Sequence, residues 1–211
     1  MKIPMNIAVR GIFSTPLAAL EVPNSASRNV RLREHILKRR TETPSVQASN
    51  VGGWHSDREI LEWGGPDVGE ILDMAKEMAN RMTADRHGKL PRPDWAVTAW
   101  ANVNGPGDGN VCHYHPGAFW SGAYYVDDGG CASDPDLGGE FEMLDPRGAG
   151  PGMHAPSLKF AGDDGQSVGS AESVLPRPGL LLMFPSWLFH QVRPYRGTDL
   201  RISIAFNLSA K

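Results

Sequence analysis

Residues 180–207, LLLMFPSWLFHQVRPYRGTDLRISIAFN, carry the pattern that decides the fold. An apolar run breaks at Pro185 and then delivers His190. Further along, Arg201 and Ser203 stand on an alternating segment that is typical of a β-strand. One imidazole and one guanidinium on neighbouring strands would suit a metal that binds a carboxylate-bearing cosubstrate.

A second histidine motif, HYHP, lies at residues 113–116. Residues two apart on a strand project to the same face, so His113 and His115 can reach one point, and His190 would approach it from a distant strand. Three such ligands leave up to three positions of an octahedral metal open, as in non-haem Fe(II) sites. Taken singly, each histidine is more simply a surface or core residue. Taken together with the Arg-x-Ser pair, they favour a metal site.

The rest of the chain predicts a mainly β fold with supporting helices. Glycine (24 residues) and proline (17 residues) are abundant, which favours many turns. Helices are predicted over 28–40 and 67–87, and the second carries an apolar stripe that would pack on the back of a sheet. From Trp95 the period changes to two, which predicts strands within 95–104, 113–126, 138–144 and the C-terminal stretch.

Length and composition point to one domain covering residues 1–211. Within it we expect a strand and helical layer at 1–90, an antiparallel sandwich or barrel of short strands at 95–207, and an inserted loop at 145–172. The net charge of −3 argues against a nucleic-acid partner. No apolar run approaches the roughly 20 residues that span a bilayer. The start of the chain lacks a signal-peptide core, and two cysteines make no disulfide framework, so a cytoplasmic location is predicted.

The loop at 41–57 contains the unusual run SNVGGWHS. One interpretation is a tight turn in which Trp54 covers the core. The other is a loop that lies over an active site. The sequence leaves both open.

The order of the motifs HYH, YYV, GGE, PGLLLMFPSWLFH and RIS resembles that of the 2-oxoglutarate/Fe(II)-dependent dioxygenase superfamily. In more detail, it resembles a bacterial and phage group of such oxygenases with H-x-H-P, SG-x-YYV and FPSWL-x-H motifs, over roughly residues 45–207. The resemblance implies a double-stranded β-helix (jelly roll, cupin-like). It also implies an enzyme that uses Fe(II), 2-oxoglutarate and O₂, hydroxylates a primary substrate, and releases succinate and CO₂.

The resemblance also implies roles for individual residues. The metal ligands would be His113, His115 and His190. Arg201 would pair with the distal carboxylate of 2-oxoglutarate, and Ser203 would add a hydroxyl donor. Tyr125 would donate to the same carboxylate or would simply be a core aromatic residue. Asn102 and Asn104 share one face of a strand and could line the pocket.

The sequence departs from the superfamily at one ligand. The first motif of the superfamily is His-x-Asp/Glu, and here the third position is His115. If His115 ligates iron, the three ligands are neutral. If it does not, the site has two histidines and an extra open position, or it takes a carboxylate such as Asp127, Asp128 or Glu140 as its third ligand. We favour His115 because it stands at the carboxylate's position.

Two other functions stay open. A cupin-like metalloenzyme without 2-oxoglutarate would share the histidines but would not need Arg201 and Ser203. A non-catalytic metal-binding module is the second. The sequence carries no signature of the primary substrate, and it leaves open whether the chain forms a homodimer.

Overall fold

The structure is a computed structural model that describes residues 14–148, 160–161, 167–168 and 171–210. Its helices are α1 (Ser25–Glu42), α2 (Ile60–Trp63), α3 (Pro66–Met82) and a short 3₁₀ turn at Pro135–Leu137. Its strands are β1 (Ala18–Glu21), β2 (Asn50–Val51), β3 (Trp54–His55), β4 (Trp95–Asn104), β5 (Gly109–His113), β6 (Trp120–Asp128), β7 (Phe141–Leu144), β8 (Phe160–Ala161), β9 (Ser167–Val168), β10 (Ala171–Val174), β11 (Leu180–Pro185), β12 (His190–Val192) and β13 (Arg201–Ala210). Most of the predicted loop at 145–172 and the first residues of the predicted N-terminal strand lie outside the described residues.

Two antiparallel sheets make up the core of the fold. The larger has the order β1-β11-β6-β13-β4-β3 and the smaller has the order β10-β7-β12-β5-β2. From β4 to β7 successive strands alternate between the sheets, with β4 and β6 in the larger and β5 and β7 in the smaller. The alternation recurs from β10 to β13, with β10 and β12 in the smaller sheet and β11 and β13 in the larger. This alternation is the double-stranded β-helix that the sequence predicts.

Period-two alternation gives the larger sheet two different faces. On β13, Ile202 and Ile204 belong to a hydrophobic core shared with α1 and α3. The residues that alternate with them, Arg201 and Ser203, face a cavity between the sheets. The neighbouring strand β4 repeats the pattern, because its odd-numbered residues join the core whereas Trp100 and Asn102 face the cavity. The helices therefore stabilise one face and leave the other free for chemistry.

The two long helices were predicted at 28–40 and 67–87. Helix α1 is longer than predicted at both ends, and α3 is shorter at its C-terminal end. Helix α3 begins at Pro66, an N-terminal position that tolerates proline because its first N–H groups have no partner inside the helix. It ends at Met82, five residues before the predicted end. The reason is Thr83, whose hydroxyl donates to the Ala79 carbonyl (2.7 Å) and accepts from Trp120 Nε1 (2.9 Å). A turn at Asp85 then replaces the last helical turn.

The predicted strand at 113–126 is wrong in its first half. Strand β5 ends at His113, a turn follows, and β6 begins at Trp120. The turn is fixed by its backbone, because the His115 N–H donates to the Ser186 carbonyl (2.9 Å). Pro116 cannot donate a ladder hydrogen bond, which disfavours a continuous strand there.

Trp54 is 6% exposed and belongs to the core beneath the larger sheet, so the loop at 41–57 does cover the core. In the described ranges, no helix has the length and apolar character needed to cross a membrane.

The packing of α3 gives a test of the fold. Ile71 is fully buried in the core, so Ile71→Ala should lower the free energy of unfolding by about 3 kcal/mol through lost burial and a cavity. Urea denaturation measures the loss. Asp73→Ala on the same helix is the control, because the Asp73 side chain is 75% exposed and should change stability little. Equal effects of the two variants would contradict the packing described.

Candidate metal centre

Three histidines meet between the sheets. His113 ends β5, His115 follows it in the turn, and His190 begins β12. Strands β5 and β12 pair so that His113 and His190 stand opposite each other. One ligand nitrogen from each of the three histidines lies within 4.8 Å of the others, and no second group of this kind occurs among the residues that the structure describes. The arrangement has room for one metal ion.

Backbone carbonyls orient two of the imidazoles. Nδ1 of His113 donates to the Val111 carbonyl (2.7 Å), and Nδ1 of His190 donates to the Leu188 carbonyl (2.7 Å). A carbonyl can only accept, so Nδ1 of each ring carries the proton and Nε2 keeps its lone pair. A metal-binding histidine needs this tautomer when Nε2 is the ligand atom.

His115 was expected on the same strand as His113, but it lies in the turn after that strand. Because β5 ends at His113, the rule that residues two apart share a strand face does not place His115. Its position follows instead from the backbone hydrogen bond to Ser186 and from ring contact with Trp100, whose centroid is 5.8 Å away. The ring centroids of His115 and His190 are 5.1 Å apart.

All three histidines have a lowered pKa, chiefly because burial disfavours the charged imidazolium. Their mutual proximity adds to this effect, since the charge of His113 would repel a charge on either partner. The pKa of His115 falls to about 4 and that of His190 to about 3. The imidazoles are therefore neutral at pH 7, the form in which histidine binds a metal.

The histidines share their cavity with polar residues from four strands and a loop. The cavity is lined by Ser49, Trp100, Asn102, Asn110, His113, His115, Gly122, Ala123, Tyr125, Phe141, Phe184, His190, Val192, Arg201, Ser203 and Ala205. No aspartate or glutamate occurs in this lining, within the described part of the chain.

Arg201 is the most unusual residue of the cavity, because its guanidinium is buried without an anion. The residue is 1% exposed, and the described residues offer it no ion pair. Its Nε donates to the Gly139 carbonyl (3.0 Å) and one terminal nitrogen donates weakly to Asn104 Oδ1 (3.4 Å). Asp128 pairs with it across the strands, but the Asp128 carboxylate accepts from the N–H groups of Gly130 and Ala132 instead. A buried, uncompensated charge is costly, so the site favours an anionic ligand.

Tyr125 lies beside this guanidinium, which sits 5.3 Å from the centre of its ring. Its hydroxyl is buried and accepts or donates no hydrogen bond within the described chain. Burial raises the pKa of Tyr125, and the charge of Arg201 opposes that shift only in part. The phenol therefore keeps its proton and can donate it to a ligand. With Ser203 in the same lining, three donors lie around one end of the cavity.

The other site residues predicted from the sequence lie in different places. Asn102 lines the cavity, whereas Asn104 orients Arg201. None of the three alternative carboxylates joins the histidines. Asp127 instead binds Arg33 at 3.2 Å.

Sequence reasoning missed Trp100, Ser49 and Asn110. Trp100 could have been found, because it lies two residues before Asn102 on the same strand face. Ser49 was indicated only through its loop at 41–57, which the sequence left open as a cover for the active site. Asn110 could not be found, since it meets Ser49 only through the pairing of β2 with β5 and the Asn110–Ser49 hydrogen bond (3.1 Å).

The lowered histidine pKa values predict how the metal-free protein responds to acid. Below pH 6.5 the unfolded chain binds protons at His115 and His190 that the folded chain does not bind until near pH 4 and pH 3. The free energy of unfolding should therefore fall as the pH falls from 6.5 to 5. Each histidine should contribute at most about 1.4 kcal/mol per pH unit. Urea denaturation in chelator over this range should give a flatter pH dependence for His115→Asn than for wild type. Parallel curves would contradict the prediction.

Comparison of the sequence with family models gives one match, to the family described as "Putative 2OG-Fe(II) oxygenase", over residues 98–207. No protein with a curated description matches the sequence. The matched residues run from β4 to β13 and so include the three histidines and Arg201.

Solved structures share the fold at low sequence identity. A Trichoplax adhaerens prolyl hydroxylase, in complex with a hypoxia-inducible factor peptide, is 14% identical with a TM-score of 0.63, over 92% of this chain and 83% of that one. A Pseudomonas putida prolyl-4-hydroxylase is 16% identical with a TM-score of 0.59, over 94% of each chain. HygX from Streptomyces hygroscopicus, with nickel and 2-oxoglutarate bound, is 12% identical with a TM-score of 0.58, over 93% and 83%.

The matched family supplies the identity of the site's ligands. Its members use Fe(II) and 2-oxoglutarate, and the neutral histidines and the buried guanidinium suit these two ligands. The family match covers more than half of the 211 residues. The chain belongs to the family of 2-oxoglutarate- and Fe(II)-dependent oxygenases.

Proposed function

We propose that this cavity catalyses hydroxylation of a C–H bond, with Fe(II) held by His113, His115 and His190 and 2-oxoglutarate held between the metal and Arg201. The observation that carries the proposal is the buried guanidinium of Arg201, which shares one cavity with the histidines and lacks a counterion among the described residues. A 2-oxoglutarate dianion would supply that counterion.

The Arg201 end of the cavity would bind the distal carboxylate. Arg201 is already fixed through its Nε by the Gly139 carbonyl, and one terminal nitrogen bonds only weakly to Asn104, so its terminal N–H groups would donate to the ligand. The buried Tyr125 hydroxyl would donate to one carboxylate oxygen, and the Ser203 hydroxyl would donate to the other. These residues set the depth at which 2-oxoglutarate lies, and thereby orient its other end toward the histidines.

The histidine end would hold the metal through three neutral nitrogens. When bound, Fe(II) together with 2-oxoglutarate supplies oxidation of the substrate by O₂, with release of succinate and CO₂. The protein's part is to keep each Nε2 deprotonated and aimed inward, which the carbonyl partners of His113 and His190 do. Because all three ligands are neutral, the charge of the metal is balanced by the cosubstrate and not by the protein.

Aromatic side chains keep the histidine end dry. Phe141 and Phe184 lie against His190, with ring centroids 5.2 Å and 4.8 Å away. Val192 extends this apolar wall. A wall of this kind excludes water from the reacting atoms and strengthens the electrostatic interactions inside the cavity.

The alternative functions fit the cavity less well. A cupin-like metalloenzyme without 2-oxoglutarate, or a non-catalytic metal-binding module, would leave Arg201 buried without an anion in every state of the protein. A permanently unpaired guanidinium would lower the free energy of unfolding, and neither alternative function needs it.

We further propose that the whole chain acts as one domain in the cytoplasm. The core beneath the larger sheet includes residues from Val22 to Leu208, which supports a single folded unit. Both cysteines, Cys112 and Cys131, carry free thiols, as suits a reducing compartment.

The role of Arg201 can be tested by binding. Arg201→Ala should weaken 2-oxoglutarate binding to the metal-loaded protein about 30-fold or more, because the distal carboxylate loses its buried charged partner. Isothermal titration calorimetry measures the affinity. Arg177→Ala is the matched control, since Arg177 is an exposed arginine paired with Glu21 on the surface. Unchanged 2-oxoglutarate affinity in Arg201→Ala would favour the cupin-like alternative.

The role of His115 needs its own test. His115→Ala should weaken Fe(II) binding at least about tenfold and reduce succinate formation, because one of three ligands is lost. His115→Asp should retain metal binding, since it restores a carboxylate at that position. The exposed histidine variant His87→Ala is the control. Unchanged iron affinity and turnover in His115→Ala would remove His115 from the ligand set.

A further inference from the structure

His115 differs from the other two proposed metal ligands in how its ring is held. Backbone carbonyls orient the rings of His113 and His190, whereas the ring of His115 has no hydrogen-bond partner in the described part of the chain. The bond from its backbone N–H to the Ser186 carbonyl fixes the turn but not the side-chain rotamer. A metal-binding histidine usually has a partner that fixes its ring. A contact of another kind therefore orients the His115 ring.

Trp100 makes such a contact. Its ring centroid lies 5.8 Å from that of His115, with the planes 56° apart, and the indole lines the same cavity. The other rings beside His115 belong to His113 and His190, which are proposed ligands themselves. Tilted aromatic pairs at this separation attract each other, so Trp100 favours one orientation of the imidazole.

Trp100 is itself held by a ring and not by a hydrogen bond. It stacks on His55, with centroids 5.5 Å apart and planes 13° apart. The indole N–H groups of four other tryptophans donate to acceptors, namely those of Trp54, Trp63, Trp95 and Trp120. The indole N–H of Trp100 has no acceptor among the described residues, although the residue is only 9% exposed. Stacking on His55 therefore sets the angle of the Trp100 ring.

His55 can support this stack because both its ring and its backbone are fixed. Its Nδ1 donates to the Ser56 carbonyl (2.7 Å), and its backbone N–H donates to Ser45 Oγ (3.0 Å). His55 also pairs with Asn102 in the register of β3 and β4. The side chain is 4% exposed, so little space remains for it to move. The loop at 41–57 thus reaches the metal site through His55, whereas Trp54 packs in the core.

We propose that the His55–Trp100 pair positions the third metal ligand: Trp100 packs against the His115 ring, and His55 holds Trp100 in place. This inference rests on the proposed function, in which His115 binds the metal. The stacked rings would do for His115 what backbone carbonyls do for His113 and His190. Neither residue of the pair touches the metal, so both are positioning residues.

Zinc binding tests the role of Trp100 without O₂ or a substrate. Trp100→Leu should weaken zinc binding about fivefold, because the His115 ring loses the surface that orients it. Trp100→Phe keeps an aromatic ring and should weaken binding less than about twofold. Competition with a chromophoric chelator measures the affinity. Trp95→Leu is the matched control, since it removes a buried tryptophan from the same strand but from the opposite, helix-covered core. It should lower the free energy of unfolding and leave the zinc affinity unchanged.

A double-mutant cycle shows whether Trp100 acts through His115. Adding Trp100→Leu to His115→Ala should change the zinc affinity no further, because the ring that Trp100 positions is already gone. The absorption spectrum of cobalt-loaded Trp100→Leu should also shift toward that of His115→Ala, since both variants weaken the same metal–nitrogen bond. His55→Leu should weaken zinc binding about threefold by the same route. It provides the test if Trp100→Leu does not fold.

The outcomes separate this inference from the proposed function. Wild-type zinc affinity in folded Trp100→Leu, or in His55→Leu if the first variant does not fold, would overturn the positioning role. An equal loss from Trp100→Leu with and without His115 would overturn it too, because the effect would then not pass through that ring. Unchanged zinc affinity in His115→Ala would instead contradict the ligand set of the proposed function. Weakened zinc binding in His115→Ala beside wild-type affinity in Trp100→Leu would contradict the positioning role alone.

Discussion

The register of β13 between β4 and β6 is the constraint on which the rest of the structure depends. Ile202 and Ile204 point into the helix-covered core, and Arg201 and Ser203 point into the cavity. A shift of one residue would bury the wrong set on each face, so the packing that stabilises the fold also fixes the cavity. Hydrophobic burial against α1 and α3 thereby holds a guanidinium in a place where, alone, it would be unfavourable.

The neutral histidines change the electrostatics of the proposed site. A carboxylate ligand would balance one positive charge of the metal permanently. With the neutral His115 as a ligand, the charge of the metal would be balanced only while 2-oxoglutarate is bound. Binding of 2-oxoglutarate is then favoured at both of its ends, by the metal and by Arg201.

One strand, β4, runs along the cavity from Arg201 to the histidines. Asn104 adjoins Arg201, Asn102 follows, and Trp100 reaches His115 and His55. Side chains at every second position of β4 thus run from Arg201 to His115. Because β4 pairs with β13 along its whole length, these distances are held rigidly.

The sequence by itself determined the fold class and the central strands, because period-two alternation on β4 and β13 requires one buried face on each. It also singled out His113, His190 and Arg201, through residue chemistry and motif order. Only the tertiary structure decided how His115 reaches the cluster, since its turn depends on a hydrogen bond to the distant Ser186. The same holds for the Arg201 guanidinium, which has no ion pair in the described chain, and for the cavity lining without carboxylates. Both depend on which distant residues pair with the available acids, and pairing of that kind is set by packing and not by local pattern.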